Sequence, residues 1–206
     1  MKIRKITIII LMLSSVFIGY DSYAAVKFDF EKTDEGWKVP EWSFDQDDYV
    51  GESSEISSDV ALSGVNSLKV DCAFPGNEWK AAIVEFESEI SLEGYKEVVV
   101  NIYLPDDARN DLMYARLIIT AGPWLFIEMK EPVKLRPGEW NKIVAKIDLS
   151  GRKELVYWDC KSKETCIRQN IDEVRKIAVR IEYDSNNAQT GPPYVGPVYL
   201  DDIEII

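Results

Sequence analysis

The chain has 206 residues and a formal charge of −12, with 36 acidic residues against 24 basic ones and no histidine. The acidic balance argues against partners that are themselves polyanions: nucleic acid, anionic lipid, and acidic sugars such as pectate or alginate. The absence of histidine removes the commonest general base, the Ser-His-Asp and Cys-His arrangements and imidazole metal sites, so a metal must be held by oxygen, which favours Ca²⁺ over Zn²⁺.

Residues 1–24 read as a secretory signal peptide. Lys2, Arg4 and Lys5 form a basic start, Ile6 to Ile18 is an almost unbroken apolar run, and Ser22-Tyr23-Ala24 supplies small residues at the cleavage positions. The run is short for a membrane span, and no cysteine follows it to take a lipid. Cleavage after Ala24 leaves residues 25–206 as one domain, with no membrane association, secreted or periplasmic. Losing three basic and one acidic residue takes the charge from −12 to −14. Of the three cysteines, Cys160 and Cys166 lie in a charged loop, where export permits a disulfide. Cys72 lies in a strand pattern and is expected as a buried free thiol.

Val26 to Glu31 alternates apolar and polar residues at the strand period. The Thr33-Asp34-Glu35-Gly36 turn follows, and residues 45–64, rich in Asp, Glu, Ser and Gly, read as a long loop. Strands are predicted at Ser67–Phe74, Trp79–Glu87 and Glu97–Leu104. Two more, Tyr114–Ala121 and Trp124–Met129, form a hairpin across Gly122-Pro123. Val133–Leu135 is short, Trp140–Leu149 follows the Pro137-Gly138 turn, and residues 150–170 form a charged insertion. A helical turn at Ile171–Arg175, a strand at Lys176–Tyr183, a Gly/Pro/Asn loop and a closing strand at Tyr199–Ile206 complete the chain. About ten short strands without a long period-3.6 segment predict an all-β fold, an antiparallel β-sandwich of jelly-roll type.

Trp37, directly after a glycine turn, and Trp140, opening a strand, read as core. Trp42, Trp79 and Trp124 lie beside loops or at strand ends, next to Gly, Pro, Asn or Glu. Trp124 shares a strand face with Phe126 and Glu128. Tyr114, Arg116, Ile118 and Thr120 alternate likewise, and Arg180 and Glu182 oppose Val179 and Ile181. One sheet face would thus carry tryptophan, arginine and glutamate together. That chemistry suits sugars: C–H faces of pyranose rings stack on indoles, while Arg and Glu hydrogen-bond hydroxyls in pairs. Pairing of the first and last strands would bring Glu31 near Asp201. Two carboxylates side by side repel, so either a hard cation such as Ca²⁺ lies between them or both face water.

Five segments together resemble calcium-binding β-jelly-roll (galactose-binding-domain-like) carbohydrate-binding modules, most of all the mannan-binding family 27. They are Phe28-Asp29-Phe30-Glu31 with Gly36-Trp37, Gly64-Val65-Asn66-Ser67-Leu68-Lys69-Val70, Pro137-Gly138-Glu139-Trp140-Asn141, and Tyr199-Leu200-Asp201-Asp202-Ile203. The resemblance implies a structural Ca²⁺ on Glu31 and Asp201, with oxygens near Ser63 and Ser67. It also implies a concave platform carrying Trp42, Trp79 and Trp124, and no catalytic residue. Such modules usually accompany an enzyme domain, and the 160–166 insertion departs from the pattern. The reading is non-catalytic binding of a neutral polysaccharide or oligosaccharide, mannan-like or another β-glycan. The alternatives are a β-sandwich hydrolase using Glu85 with Glu87 or Glu128 with Glu182, a lyase, whose polyanionic substrates the charge disfavours, and a structural or adhesion protein.

Overall fold

A computed structural model describes residues 24–108, 112–147, 158–159, 171–183 and 191–206. The leader residues before Ala24 and the Cys160–Cys166 loop lie outside these described residues.

The strands are β1 (Val26–Phe28), β2 (Trp37–Lys38), β3 (Gly51–Ser57), β4 (Ser67–Phe74), β5 (Lys80–Ile90), β6 (Glu97–Leu104), β7 (Met113–Ala121), β8 (Leu125–Met129), β9 (Val133–Lys134), β10 (Glu139–Lys146), β11 (Trp158–Asp159), β12 (Val174–Tyr183) and β13 (Tyr194–Ile205). They form two antiparallel sheets. Sheet I runs β10-β6-β13-β4-β3, with β1 also on β13; sheet II runs β11-β8-β7-β12-β5-β2, with β9 also on β7. The sheets face each other across one continuous apolar core, an antiparallel β-sandwich. Glu97–Leu104 supplies Val98, Val100, Ile102 and Leu104 to it, as alternation required.

The first and last strands pair, with Val26 opposite Ile205 and Phe28 opposite Ile203. Cys72 is a buried free thiol whose Sγ donates to the Gly196 carbonyl. Trp37 is fully buried and closes the sandwich beside Phe28 and Phe86, with ring centroids 5.6 and 5.7 Å away.

Several sequence expectations are corrected. The long loop at 45–64 contains the edge strand β3, where Ser and Glu face solvent and β4 supplies the ladder partners. Polar composition marked its exposure, not its backbone. Residues 171–175 are not a helical turn; β12 begins at Val174, whose side chain enters the core. The closing strand starts at Tyr194, and the short strand β11 lies within the charged insertion. Trp140 is not core. Asn141, Ile143 and Ala145 point inward, so the two-residue period turns Trp140 outward. There it joins a cross-strand row with Tyr103 and Tyr199, at ring separations of 5.5 and 6.2 Å. Trp158 takes a core place instead, fully enclosed, its indole N–H donating to the Lys146 carbonyl at 2.7 Å.

The turn before β4 is set by one glycine. Gly64 has φ +62°, and a Cβ there would lie 2.2 Å from the Glu31 Oε1 that receives the next two amides. Gly64→Ala is therefore expected to cost roughly 2–4 kcal/mol, from the left-handed backbone and the displaced carboxylate. Denaturant unfolding checks this; an unchanged midpoint would contradict it.

Candidate ligand-binding face

The site is the outer face of sheet II. β12 runs through its middle, paired with β5 on one side and β7 on the other. Alternate residues of β12 leave the core side: Ile177, Val179 and Ile181 pack inward, while Lys176, Ala178, Arg180 and Glu182 point outward. Register then sets the outward neighbours in rows. Glu85, Ala178, Ile118 and Glu128 lie in one row, and Ile83, Arg180 and Arg116 in the next.

Ile83, Ile118 and Ala178 form a small apolar patch on this outer face, covered by Tyr49. Beside it Arg116, Glu128, Arg180 and Glu182 come together, all four brought into one lattice as expected from the alternation. Arg180 Nε donates to Glu182 Oε1 and its Nη2 to Glu128 Oε2, each at 2.7 Å. Arg116 Nη2 donates to Glu182 Oε2 at 3.2 Å and its Nη1 to the Met129 carbonyl at 3.0 Å. Arg116 Nε lies 2.7 Å from Glu182 Oε1, an ion-pair contact whose N–H is not aligned for a hydrogen bond. Burial works against the Arg180 charge, but Glu182 and Glu128 outweigh it and hold its pKa above the ordinary arginine value. Two cations and two anions leave the lattice neutral.

The three tryptophans surround this lattice. Trp42 stands on a 3₁₀ turn, Glu41–Asp45, 40% exposed, its indole N–H donating to Glu85 Oε2 at 3.2 Å. Lys176 Nζ donates to the same oxygen at 3.0 Å, and Tyr49 meets the Trp42 ring edge-on at 4.9 Å. Trp124 is 62% exposed and holds φ +64° at the β7–β8 turn, where Arg175 and Lys176 approach its ring at 5.4 and 5.9 Å. Trp79 is half-buried, with the Arg180 guanidinium 5.8 Å from its ring centre. Strand alternation places Lys176 on this face with Arg180 and Glu182 but could not show Tyr49 there. Tyr49 comes from an irregular segment joined to β5 by a single parallel bridge at Ala81.

The carboxylate pairs considered for hydrolysis are differently placed. Glu128 and Glu182 are each committed to two arginines, and Lys176 pairs with Glu85 and lies 3.8 Å from Glu87.

The second predicted constellation lies where the chain ends meet. Asp201 shares the outward face of β13 with Tyr199, and loop 60–67 covers it there; the register shift that follows, with φ +44° at Asp202, returns Ile203 to the core. Asp201 is fully buried, so it does not face water. Its Oδ2 accepts the Leu62 and Ser63 amides at 2.8 and 3.2 Å, and burial raises its pKa against the pull of those bonds. Glu31 Oε1 accepts the Val65 and Asn66 amides at 2.9 and 3.1 Å. Ser63 Oγ donates to Asp202 Oδ1, which Lys27 also approaches at 2.7 Å, and Ser67 Oγ donates to the Val60 carbonyl. Glu31, Asp201, Ser63 and Ser67 are thus gathered around one loop, 60–67. No group of three or more acid or thiol side chains converges to hold a metal among the described residues.

No known protein-family profile matches the chain, and no curated protein matches its sequence. Solved structures do match. A carbohydrate-binding module of family 28, specific for non-crystalline cellulose, superposes with a TM-score of 0.56 at 13% identity, over 86% of this chain and 90% of the module. What this chain shares with that module is the antiparallel β-sandwich. An exo-β-agarase gives the same score at 12% identity over 87% of this chain, which spans 24% of that enzyme. A family 27 module known for specific mannan recognition covers 89% of this chain and 98% of its own, at 16% identity and a TM-score of 0.46.

The lattice makes a stability forecast. Glu182 lies against both arginines with its side chain only 5% exposed. Glu182→Gln, nearly isosteric, is expected to cost about 3–5 kcal/mol because it leaves buried positive charge uncompensated. Glu87→Gln, on the same sheet but exposed, is expected to change stability by less than about 0.5 kcal/mol. Equal melting shifts for the two variants would contradict the lattice.

Proposed function

We propose that this protein is a non-catalytic, exported binder of a neutral polysaccharide or oligosaccharide, held on the outer face of sheet II. The carrying observation is the pairing of exposed indoles, Trp42 and Trp124, with a charge lattice that is internally neutral. Indole faces offer flat apolar surface to the C–H faces of sugar rings. A neutral lattice offers hydrogen bonds without an electrostatic preference for charged sugars, and the acidic chain repels polyanions. The family 28 module described as specific for cellulose, a neutral β-linked chain, supports the same ligand class. A mannan is the first candidate within it, with other β-glycans beside it.

The roles divide by exposure. Trp42 and Trp124 stack sugar rings. Trp79, pinned by Arg180, extends the surface. Glu128 and Arg116, the more accessible lattice members, hydrogen-bond hydroxyls; Arg180 and Glu182 hold them in place.

Trp124→Ala and Trp42→Ala are each expected to lose about 1–3 kcal/mol of binding, in calorimetric titration with mannohexaose and cellohexaose. Their melting temperatures should barely move, whereas a core Trp37→Ala should cost about 3–5 kcal/mol of stability. Destabilisation by Trp124→Ala without a binding loss, or no binding of either sugar by the unaltered protein, would refute the assignment.

We also propose a structural Ca²⁺ at the junction of the chain ends. The donors there suit it in kind: a fully buried Asp201 carboxylate, Glu31, and hydroxyl and carbonyl oxygens of loop 60–67. Lys27 pairs with the neighbouring Asp202 at 2.7 Å and leaves Asp201 and Glu31 to the loop amides. A metal bound only by the folded chain stabilises it by mass action. Chelation is expected to lower the melting temperature of the calcium-loaded protein, and Asp201→Asn to abolish that sensitivity. An unchanged melt after chelation of metal-loaded protein would exclude the ion.

A further inference from the structure

The 3₁₀ turn that carries Trp42 shows a second aromatic ring to a different surface. A 3₁₀ helix advances about 120° per residue, so residues two apart diverge instead of sharing a face. Ser43 points inward, its Oγ donating to the Pro40 carbonyl at 2.8 Å, and Trp42 and Phe44 emerge on either side. Trp42 reaches Glu85 on sheet II. Phe44, 57% exposed, overhangs an open depression of about 410 Å³ lined by Phe44, Tyr49, Val50, Gly51, Glu52 and Ala73.

This depression is continuous with the sheet II face. Tyr49 is the shared wall: its ring meets Trp42 edge-on at 4.9 Å and also lines the depression. The floor is held from both sheets, since the Val50 amide donates to the Ala81 carbonyl at 2.8 Å and the Ala73 amide to the Val50 carbonyl at 3.1 Å. Glu52 is exposed and forms no ion pair, and Phe44 no ring contact, among the described residues. A free aromatic face beside a free carboxylate matches a sugar ring, apolar on its C–H face and hydroxyl-bearing at its rim. Exposed Asp45, Asp47 and Asp48 on the adjoining segment disfavour an acidic sugar there. The volume lies toward the small end of ligand sites, which span about 300–1,000 Å³.

We propose that this depression is a subsite for a single neutral sugar branch on the glycan whose backbone lies across sheet II. The inference rests on the reading of that face as the backbone site. It makes the protein selective for decorated chains: Trp42 holds the backbone at the branch point, and Phe44 and Glu52 take the side unit.

Titration of the intact protein with linear mannohexaose and with the same backbone carrying one galactosyl branch tests this, alongside cellohexaose and its xylosyl-branched counterpart. The unaltered protein is expected to bind the branched member of at least one pair about three- to tenfold tighter. Phe44→Ala and Glu52→Gln should each shrink that preference while leaving linear-chain affinity within about twofold and the melting temperature unchanged. Trp124→Ala should weaken both members equally. Branched chains bound no more tightly than their linear partners in both pairs, or a preference surviving in Phe44→Ala, overturns the subsite and leaves the sheet II reading intact. Failure of every chain to bind overturns both.

Discussion

Two arginines and two glutamates stand on the outer face of sheet II, and none of them could be so deeply covered without the others. Arg180 and Glu182 belong to β12, the central strand, so their backbones are enclosed by β5 and β7. The Arg180 guanidinium lies against the Trp79 ring and beside Tyr49. Removing ions from water costs several kcal/mol each, and only close opposite charges with good hydrogen bonds recover it. Arg116 and Glu128 supply those charges from the neighbouring strands. The register of three strands, β7, β8 and β12, is therefore tied to one electrostatic condition, since a shift by one residue would send these groups into the core.

That condition shapes the surface around it. A self-neutral lattice is a stiff, polar floor on which aromatic rings can stand exposed. Trp124 is fixed by the positive-φ turn at its own position and by Arg175 and Lys176 against its ring. Trp42 is fixed by Glu85, which Lys176 also holds. One lysine thus lies between both exposed indoles. Rings held in this manner lose little further freedom on contact with a ligand, which favours binding.

At the far side of the sandwich, carboxylates fasten the chain ends. β1 and β13 pair over three residues, a short ladder. The amides of loop 60–67 strengthen it by donating to Glu31 and Asp201, and Gly64 lets the loop approach. Charge-assisted hydrogen bonds of this kind are roughly twice as strong as neutral ones. Loop 60–67, laid over the outer side of β13, is what buries the Asp201 carboxylate.

The sequence by itself determined the layer architecture, because a side-chain period of two over several short segments leaves a sandwich as the way to bury every apolar face. It also determined that Arg180 and Glu182 leave the core side of their strand, since their parity, opposite to Val179 and Ile181, is a local property; that Arg116 and Glu128 join them followed from the pairing of β7 with β12 and β8. The same parity placed Trp140 outside, opposite Ile143 and Ala145, although a tryptophan heading a strand had read as core. Tertiary structure alone decided the rest. β3 forms from a polar stretch because β4 offers it hydrogen-bond partners, a gain invisible in its own residues. Tyr49 and Glu85 join the face through contacts between distant segments, Glu85 meeting Lys176 across 91 positions of the chain. Trp42 and Phe44 diverge because a 3₁₀ turn, not a loop or strand, carries them. Pairing, register and turn type are properties of two segments meeting, and neither segment contains them alone.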